Sequence, residues 1–128
     1  MPKTTGRRIA LLMGCGKYDE LPPLRAPLRD VAAMERMVRD PRIGNFSDVL
    51  TFNRGENPHT ILESMETIIT QTEPNDFILI YFSGHGKLDL LGHLYLALKR
   101  TRETALDATA IGLIEFTTTC SERARVQP

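Results

Sequence analysis

His85 follows a predicted strand of a parallel sheet, at the edge where such sheets bind ligands. His85 lies between Gly84 and Gly86, directly after the apolar run 77–82. Such a run predicts a strand that is buried on both faces, as in a parallel sheet. Ligands bind at the C-terminal edge of such sheets, and histidine is well suited to move protons near neutral pH. The pattern indicates an acid–base residue, with a tight glycine turn without chemistry as the alternative.

The two cysteines are the other candidates for chemistry. Cys15 follows the apolar run 8–13, which predicts a first strand, so it could share a sheet edge with His85. If Cys15 or Cys120 acted as a nucleophile, its thiol pKa would have to be lowered beside the histidine. The alternative for Cys15 is a small residue in a turn.

Neither a dinucleotide site nor a metal site is predicted. The spacing Gly14-x-Gly16 fails as a dinucleotide fingerprint, because its third glycine would fall at Asp19. His85, Asp89 and His93 are close in sequence, but they lack a spacing that is typical of metal ligands. We therefore expect no metal and no cofactor.

The composition narrows the class of protein. The chain has 128 residues, 16 basic and 16 acidic, and its formal charge is zero, which fits a single domain. A nucleic-acid interface would need a basic excess or stripe, and no apolar run approaches the roughly 20 residues of a membrane span. The first apolar run is shorter than the core of a signal peptide. Two cysteines are too few for a disulfide scaffold, so the expected compartment is the cytoplasm.

The remaining segments alternate between strands and helices. Apolar periodicity predicts strands over 8–13, 48–52 and 77–82, a hairpin over 87–98, and helices over 28–39, 58–70 and 108–120. Asn57 would cap the second helix and Asp107 the third. This alternation predicts an α/β domain with a mainly parallel sheet between helices on both faces, a three-layer α/β/α sandwich.

Taken together, these segments resemble the caspase-like cysteine peptidases of family C14, most closely the bacterial members of the caspase and metacaspase group. The most specific piece is Phe77-Ile-Leu-Ile-Tyr-Phe-Ser-Gly-His-Gly86, which is similar to the strand and turn that carry the catalytic histidine of the family. Residues 9–16 resemble its first strand and turn, residues 24–34 the loop and the start of its first helix, and residues 92–96 the short strands after the histidine. The resemblance covers nearly all of the chain and implies a caspase-like fold.

The resemblance also implies roles for three residues. His85 would be the general base, which takes the proton of a cysteine thiol and later protonates the leaving amine. Gly86 would lend its backbone N–H to an oxyanion hole. Arg25 falls near the arginine that binds an acidic P1 side chain in caspases, and a guanidinium suits a carboxylate. Other members of the group prefer a basic P1 side chain. The substrate that the resemblance implies is a peptide or protein.

One part of the family pattern does not appear in the sequence. The nucleophilic cysteine should follow a further strand, roughly 50 residues after the histidine. Residues 86–128 contain no Asp-x-Cys-x-Gly-like segment, and Cys120 falls on or just after a predicted helix. We therefore expect residues 1–128 to be the N-terminal portion of a catalytic domain, truncated before the nucleophile strand and inactive by itself.

Four functions stay open at this point. The first is a cysteine endopeptidase whose nucleophile lies beyond residue 128 or comes from a second chain that completes the sheet. The second is a non-catalytic caspase-like module, since the unpaired edge of a truncated sheet favours pairing with a partner. The third uses Cys15 or Cys120 as the nucleophile. The fourth is an unrelated flavodoxin-like or nucleotide-binding domain, which ranks last because no phosphate-binding loop is complete.

Overall fold

The structure, a computed structural model, describes residues 6–113. In chain order the elements are β1 (Arg8–Gly14), α1 (Ala26–Arg39), β2 (Asp48–Phe52), α2 (Pro58–Gln71), β3 (Phe77–Ser83), β4 (Gly86–Leu88), β5 (Leu94–Ala97), a short 3₁₀ helix (Glu103–Ala105), α3 (Leu106–Thr109) and β6 (Ala110–Gly112). The two long helices, the first three strands and the hairpin lie within two residues of their predicted bounds. None of the helices in this part of the chain is long and apolar enough to cross a membrane.

β1 is the central strand of a parallel sheet. Within residues 6–113 this sheet has the strand order β2-β1-β3, and both neighbours run parallel to β1. All residues of β1 except Arg8 are buried. A strand that is covered on both faces needs apolar residues at consecutive positions rather than at alternate ones, and this is the pattern that β1 has.

The side chains of β1 alternate between two apolar clusters, one on each face of the sheet. The first cluster contains Ile9, Leu11, Met13, Phe52, Ile61, Met65, Ile69, Leu98 and Ile111. The second contains Ala10, Leu12, Val31, Val38 and Phe46. The first cluster is covered by α2 and the second by α1, so the α/β prediction with helices on both faces is confirmed.

β3 is less buried than its sequence predicts. Phe77 is 51% exposed and Ile80 is 37% exposed, and the rest of the strand is only half-buried. Within the described residues β3 pairs with β1 and with no other strand. The prediction of burial on both faces is therefore wrong for this part of the chain. An apolar run reports the character of the side chains, whereas burial also depends on which elements cover them.

A second sheet follows the histidine. β4, β5 and β6 form an antiparallel sheet in that order within the described residues. β6 takes up residues 110–112 of the helix that the sequence predicts over 108–120. Residues 108 and 109 are helical, as part of α3, but the prediction is wrong at 110–112. Ile111 pairs with Leu96 of β5 and is fully buried in the first cluster. This pairing and burial favour a strand, although the apolar spacing also fits a helix.

The region around the predicted third helix cap differs as well. Asp107 lies inside α3 rather than before it, and its carboxylate accepts a hydrogen bond from the Tyr95 hydroxyl. The remainder of the predicted helix, including Cys120, lies outside the described residues.

The ends of the two long helices follow from local chemistry. Asn57 caps α2, because its Oδ1 accepts hydrogen bonds from the backbone N–H and the hydroxyl of Thr60 at 2.9 and 3.0 Å. Pro58 occupies the first turn, where no intrahelical hydrogen-bond donor is needed. α1 ends at Arg39, one residue before the Asp40-Pro41 pair, as expected because proline disfavours helical backbone in the residue before it.

Candidate active site

The turn after β3 is held by three neighbouring elements. The Cys15 N–H, just beyond β1, donates to the Ser83 carbonyl at 3.1 Å. The Ser83 hydroxyl donates to the Asp30 carboxylate of α1 at 2.8 Å. The Ala97 N–H, at the end of β5, donates to the His85 carbonyl at 2.9 Å. The backbone on both sides of the histidine is therefore fixed by residues that are distant in sequence.

One nitrogen of the His85 imidazole is hydrogen-bonded to the backbone. Nε2 lies 2.8 Å from the Pro22 carbonyl oxygen. Because a carbonyl can only accept, the proton of the neutral ring must be on Nε2. Nδ1 then carries the free lone pair, and within residues 6–113 it has no hydrogen-bond partner. The ring is therefore presented as a base through Nδ1.

Tyr18 lies against the same histidine. Its hydroxyl donates to the Cys15 carbonyl at 2.6 Å and accepts the His85 backbone N–H at 3.0 Å. The two rings are tilted by 56°, with centroids 4.8 Å apart. Burial raises the pKa of Tyr18 to about 12, so the hydroxyl is protonated at neutral pH. Sequence reasoning missed Tyr18 and Pro22, because neither belongs to a motif and Pro22 acts through its backbone.

The backbone N–H of Gly86 points away from the second sheet. Gly86 lies opposite Leu96 in the antiparallel pair of β4 and β5. The His85 carbonyl on one side accepts from Ala97, and on the other side the Asp89 N–H donates to the His93 carbonyl. Since hydrogen-bonded pairs alternate along such a ladder, Gly86 occupies a non-hydrogen-bonded position. Its N–H is therefore directed away from β5.

Cys15 shares the sheet edge with the histidine but is not activated. Its side chain is 6% exposed, and its thiol donates to the Lys17 carbonyl at 3.3 Å. Burial raises the pKa of the thiol above its ordinary value of 9.0. A substitute nucleophile requires an accessible thiol with a lowered pKa, so the burial and the raised pKa both argue against this role for Cys15. The same role for Cys120 falls outside the described residues.

Arg25 lies on the loop that orients the histidine. It immediately precedes α1, three residues after Pro22, and its side chain is exposed. Within residues 6–113 no acidic side chain forms an ion pair with it. Arg25 lines a surface cavity together with Gly16, Lys17, Pro23, Leu24, Leu28 and Arg29. The half-buried Asp30 carboxylate is an acidic group at the same sheet edge, and sequence reasoning missed it.

The residues near His85 in sequence are not assembled as metal ligands. His93 Nδ1 pairs with Asp89 Oδ2 at 3.0 Å. Asp89 also accepts the backbone N–H groups of Leu91 and His93, and these hydrogen bonds, that from the His93 N–H foremost, lower the pKa of its carboxyl. His85 is turned toward Pro22 instead. No group of three or more potential metal ligands occurs within the described part of the chain.

Comparison with known families identifies the family of the chain. The family model for the caspase domain of C14 peptidases matches residues 7–118. The chain belongs to the caspase domain family. The match includes β1, the turn after β3 and the second sheet, so it covers every element that positions His85. The fold expected from the resemblance is thereby confirmed.

Curated proteins similar to this caspase domain include metacaspases. Metacaspase-1B of Aspergillus terreus is 35% identical over 89 residues, which is 64% of this chain and 24% of the relative. Metacaspase-1B of Aspergillus clavatus is 33% identical over 90 residues (64% and 22%). Metacaspase-1 of Sclerotinia sclerotiorum is 31% identical over 90 residues (64% and 21%). The chain thus spans less than a quarter of the length of these relatives, and all three are fungal, so the bacterial grouping stays a prediction.

Proposed function

We propose that this chain is the histidine-bearing portion of a cysteine endopeptidase. In this proposal His85 is the general base, Gly86 is an oxyanion donor, and the nucleophilic cysteine is supplied by residues beyond 128 or by a second chain. Residues 1–128 alone would then bind peptides without hydrolysing them. Family membership supports peptide or protein substrates, and the cytoplasm is the compartment that the cysteine content favours.

The observation that carries the proposal is the orientation of the His85 imidazole. Nε2 is committed to the Pro22 carbonyl, while Nδ1 is unpartnered within residues 6–113. A general base must present a free lone pair, and a second group must hold its other nitrogen. In this site a backbone carbonyl takes the orienting part that a carboxylate takes in other triads.

The proposed reaction follows from this geometry. Nδ1 of His85 takes the thiol proton of the cysteine, and the thiolate attacks the scissile carbonyl carbon. The Gly86 N–H stabilises the negative oxygen that develops there. The imidazolium then returns its proton to the leaving amine as the C–N bond breaks. Water, deprotonated by the same imidazole, hydrolyses the resulting acyl-cysteine.

The charge of the preferred P1 side chain can be tested directly. Arg25 supports an acidic side chain, whereas Asp30 supplies a negative group at the same edge of the sheet. We propose that Arg25 binds an acidic P1 side chain, and this role can be tested by substitution. If Arg25 binds the P1 carboxylate, Arg25→Ala raises KM for Asp-P1 peptides at least tenfold and leaves KM for Arg-P1 peptides unchanged. Hydrolysis restricted to Arg-P1 or Lys-P1 peptides would refute that role.

The central experiment compares two forms of the protein. Fluorogenic peptides with Asp, Arg or Ala at P1 are offered to residues 1–128 and to the complete gene product. We expect hydrolysis by the complete product only, and its loss in His85→Ala. His59→Ala is the matched control, because His59 lies on the first turn of α2 with an exposed side chain. Hydrolysis that survives His85→Ala would overturn the proposal.

A non-catalytic module is the second candidate. Within the described residues β3 has a neighbour on one side only, and Phe77 and Ile80 on it are exposed. Such an edge favours strand pairing with another chain. If the complete product hydrolyses no peptide, this candidate predicts a dimer or hetero-complex in size-exclusion chromatography. A stable monomer without partner or activity would contradict it.

A further inference from the structure

At the histidine turn, a tyrosine hydroxyl replaces a backbone carbonyl as the acceptor of one hydrogen bond. Where two antiparallel strands pair, facing residues at a hydrogen-bonded position exchange two bonds. His85 and Ala97 face each other in this way, and the Ala97 N–H donates to the His85 carbonyl. The return bond, from the His85 N–H to the Ala97 carbonyl, is not made. The His85 N–H donates instead to the Tyr18 hydroxyl at 3.0 Å.

We propose that Tyr18 is a positioning residue for His85, acting through its hydroxyl on the backbone and through its ring on the imidazole. The proposal deepens the general-base assignment above and rests on it. By accepting the His85 N–H, the hydroxyl holds the histidine backbone away from β5 and toward the loop that carries Pro22. The tilted ring contact then restricts the imidazole to the orientation in which Nε2 meets that carbonyl.

The space around the hydroxyl is closed on its other side by Gly84. A Cβ at Gly84 would lie 2.7 Å from the Tyr18 hydroxyl oxygen, 2.9 Å from Cζ of Phe82 and 3.1 Å from the Cys15 carbonyl oxygen. A side chain at position 84 would therefore push the hydroxyl off the His85 N–H and would also crowd the Phe82 ring. The same hydroxyl donates to the Cys15 carbonyl at 2.6 Å. Tyr18 thus joins the end of β1 to the turn after β3, and glycine is needed at position 84 to leave room for it.

The test is made by NMR on residues 1–128 and needs no peptide cleavage. Tyr18→Phe keeps the ring and removes the hydroxyl, and Tyr81→Phe, on β3, is the matched control. We expect exchange of the His85 amide to become about tenfold faster in Tyr18→Phe, as for the loss of one hydrogen bond. The His85 χ1 coupling constants should change from those of one rotamer to averaged values. The Tyr95 amide in β5 should be unaffected, and Tyr81→Phe should behave as the wild type.

Two further measurements keep the proposal falsifiable if Tyr18→Phe does not fold. Gly84→Ala should free the His85 amide in the same way, because the added Cβ would crowd the Tyr18 hydroxyl while the tyrosine itself is kept. The wild-type protein itself must show a nuclear Overhauser contact between the two rings. The proposal would be overturned if Tyr18→Phe kept the wild-type exchange rate of the His85 amide and the wild-type His85 coupling constants. It would also be overturned if the wild type showed no contact between the Tyr18 and His85 rings. Because none of these readouts involves hydrolysis, a failure of the peptidase assignment would be seen separately, in the peptide assay.

Discussion

The carboxylate of Asp76 organises the entry into β3. Its Oδ1 accepts the Arg7 backbone N–H at 2.8 Å, and its Oδ2 accepts the Glu73 N–H at 2.9 Å. Oδ2 also pairs with the Arg7 guanidinium at 3.3 Å. These hydrogen bonds, that from Glu73 foremost, lower the pKa of Asp76 below its ordinary value of 3.8. One side chain thus fixes the start of β3 against the start of β1.

We predict that Asp76→Asn destabilises the fold by about 2 kcal/mol at pH 7, since hydrogen bonds to a charged acceptor are lost. The folded-state pKa is depressed, so this stability is present above pH 4 and is lost as the pH falls through the folded-state value. Urea unfolding between pH 7 and pH 2 measures it. The variant should lose less stability than the wild type on acidification, and Asp19→Asn, in an exposed loop, should not. If the free energy of unfolding of Asp76→Asn fell between pH 7 and pH 2 as much as that of the wild type, the prediction would be wrong.

The thiol of Cys15 predicts a loss of stability at alkaline pH, in contrast to the acidic loss predicted for Asp76. Its pKa is raised by burial, so the folded state retains the thiol proton that an unfolded chain releases near pH 9. Stability should therefore be complete below pH 9 and should fall as the pH rises through the raised value. Cys15→Ala should remove this alkaline loss, as measured by urea unfolding at pH 7 to 10. Alkylation of native Cys15 at pH 7.5, as fast as in the unfolded chain, would count against it.

The difference between predicted and observed site residues has a local cause. The position of His85 follows from an apolar run and two glycines, which are neighbours in sequence. Pro22 and Tyr18 reach the histidine from a separate loop, through a carbonyl and a hydroxyl. Short-range patterns cannot report such contacts, because they depend on where the end of β1 meets the end of β3.

At the scale of single elements, the helix ends are the most predictable part of the fold. Asn57 was expected to cap α2, and its Oδ1 accepts the Thr60 N–H at 2.9 Å. Capping depends on residues within one turn, so the sequence contains all of the information. β6 is the opposite case, since its three residues form a strand through pairing with β5, which is distant from it by more than one turn of chain.

We predict that Asn57→Ala costs about 1 kcal/mol, the usual effect of removing an N-cap side chain. Asn57→Asp retains an acceptor oxygen and places a negative charge at the positive end of the helix, so its stability should match or exceed that of the wild type. Thermal or urea unfolding of both variants provides the comparison. Equal destabilisation by alanine and aspartate would show that the cap bond does not stabilise α2.

At the scale of the whole molecule, the sheet separates two apolar clusters. Val31 of α1 packs on one face of β1, and Ile61 and Met65 of α2 pack on the other. The side chains of β1 point alternately into each cluster. The sheet backbone therefore separates a substitution in one cluster from the side chains of the other cluster.

We predict additive effects across the sheet and coupled effects within one face. Val31→Ala should cost about 2 kcal/mol and Ile61→Val about 1 kcal/mol. The double variant should equal the sum within about 0.5 kcal/mol. The matched pair, Ile61→Val with Met65→Ala in the same cluster, should deviate from additivity. Equal coupling in the two double-mutant cycles would mean that the clusters are not independent.

The central position of β1 has a consequence for synthesis on the ribosome. β1 is made before both of its partners in this sheet, and one of them, β3, begins only at Phe77. At about 5–20 residues per second, the intervening chain takes on the order of several seconds to translate. For that time the strand that becomes the most deeply buried of the sheet has an open side and is a natural site for a nascent-chain chaperone. Refolding from denaturant, where all strands are present at once, has no such interval.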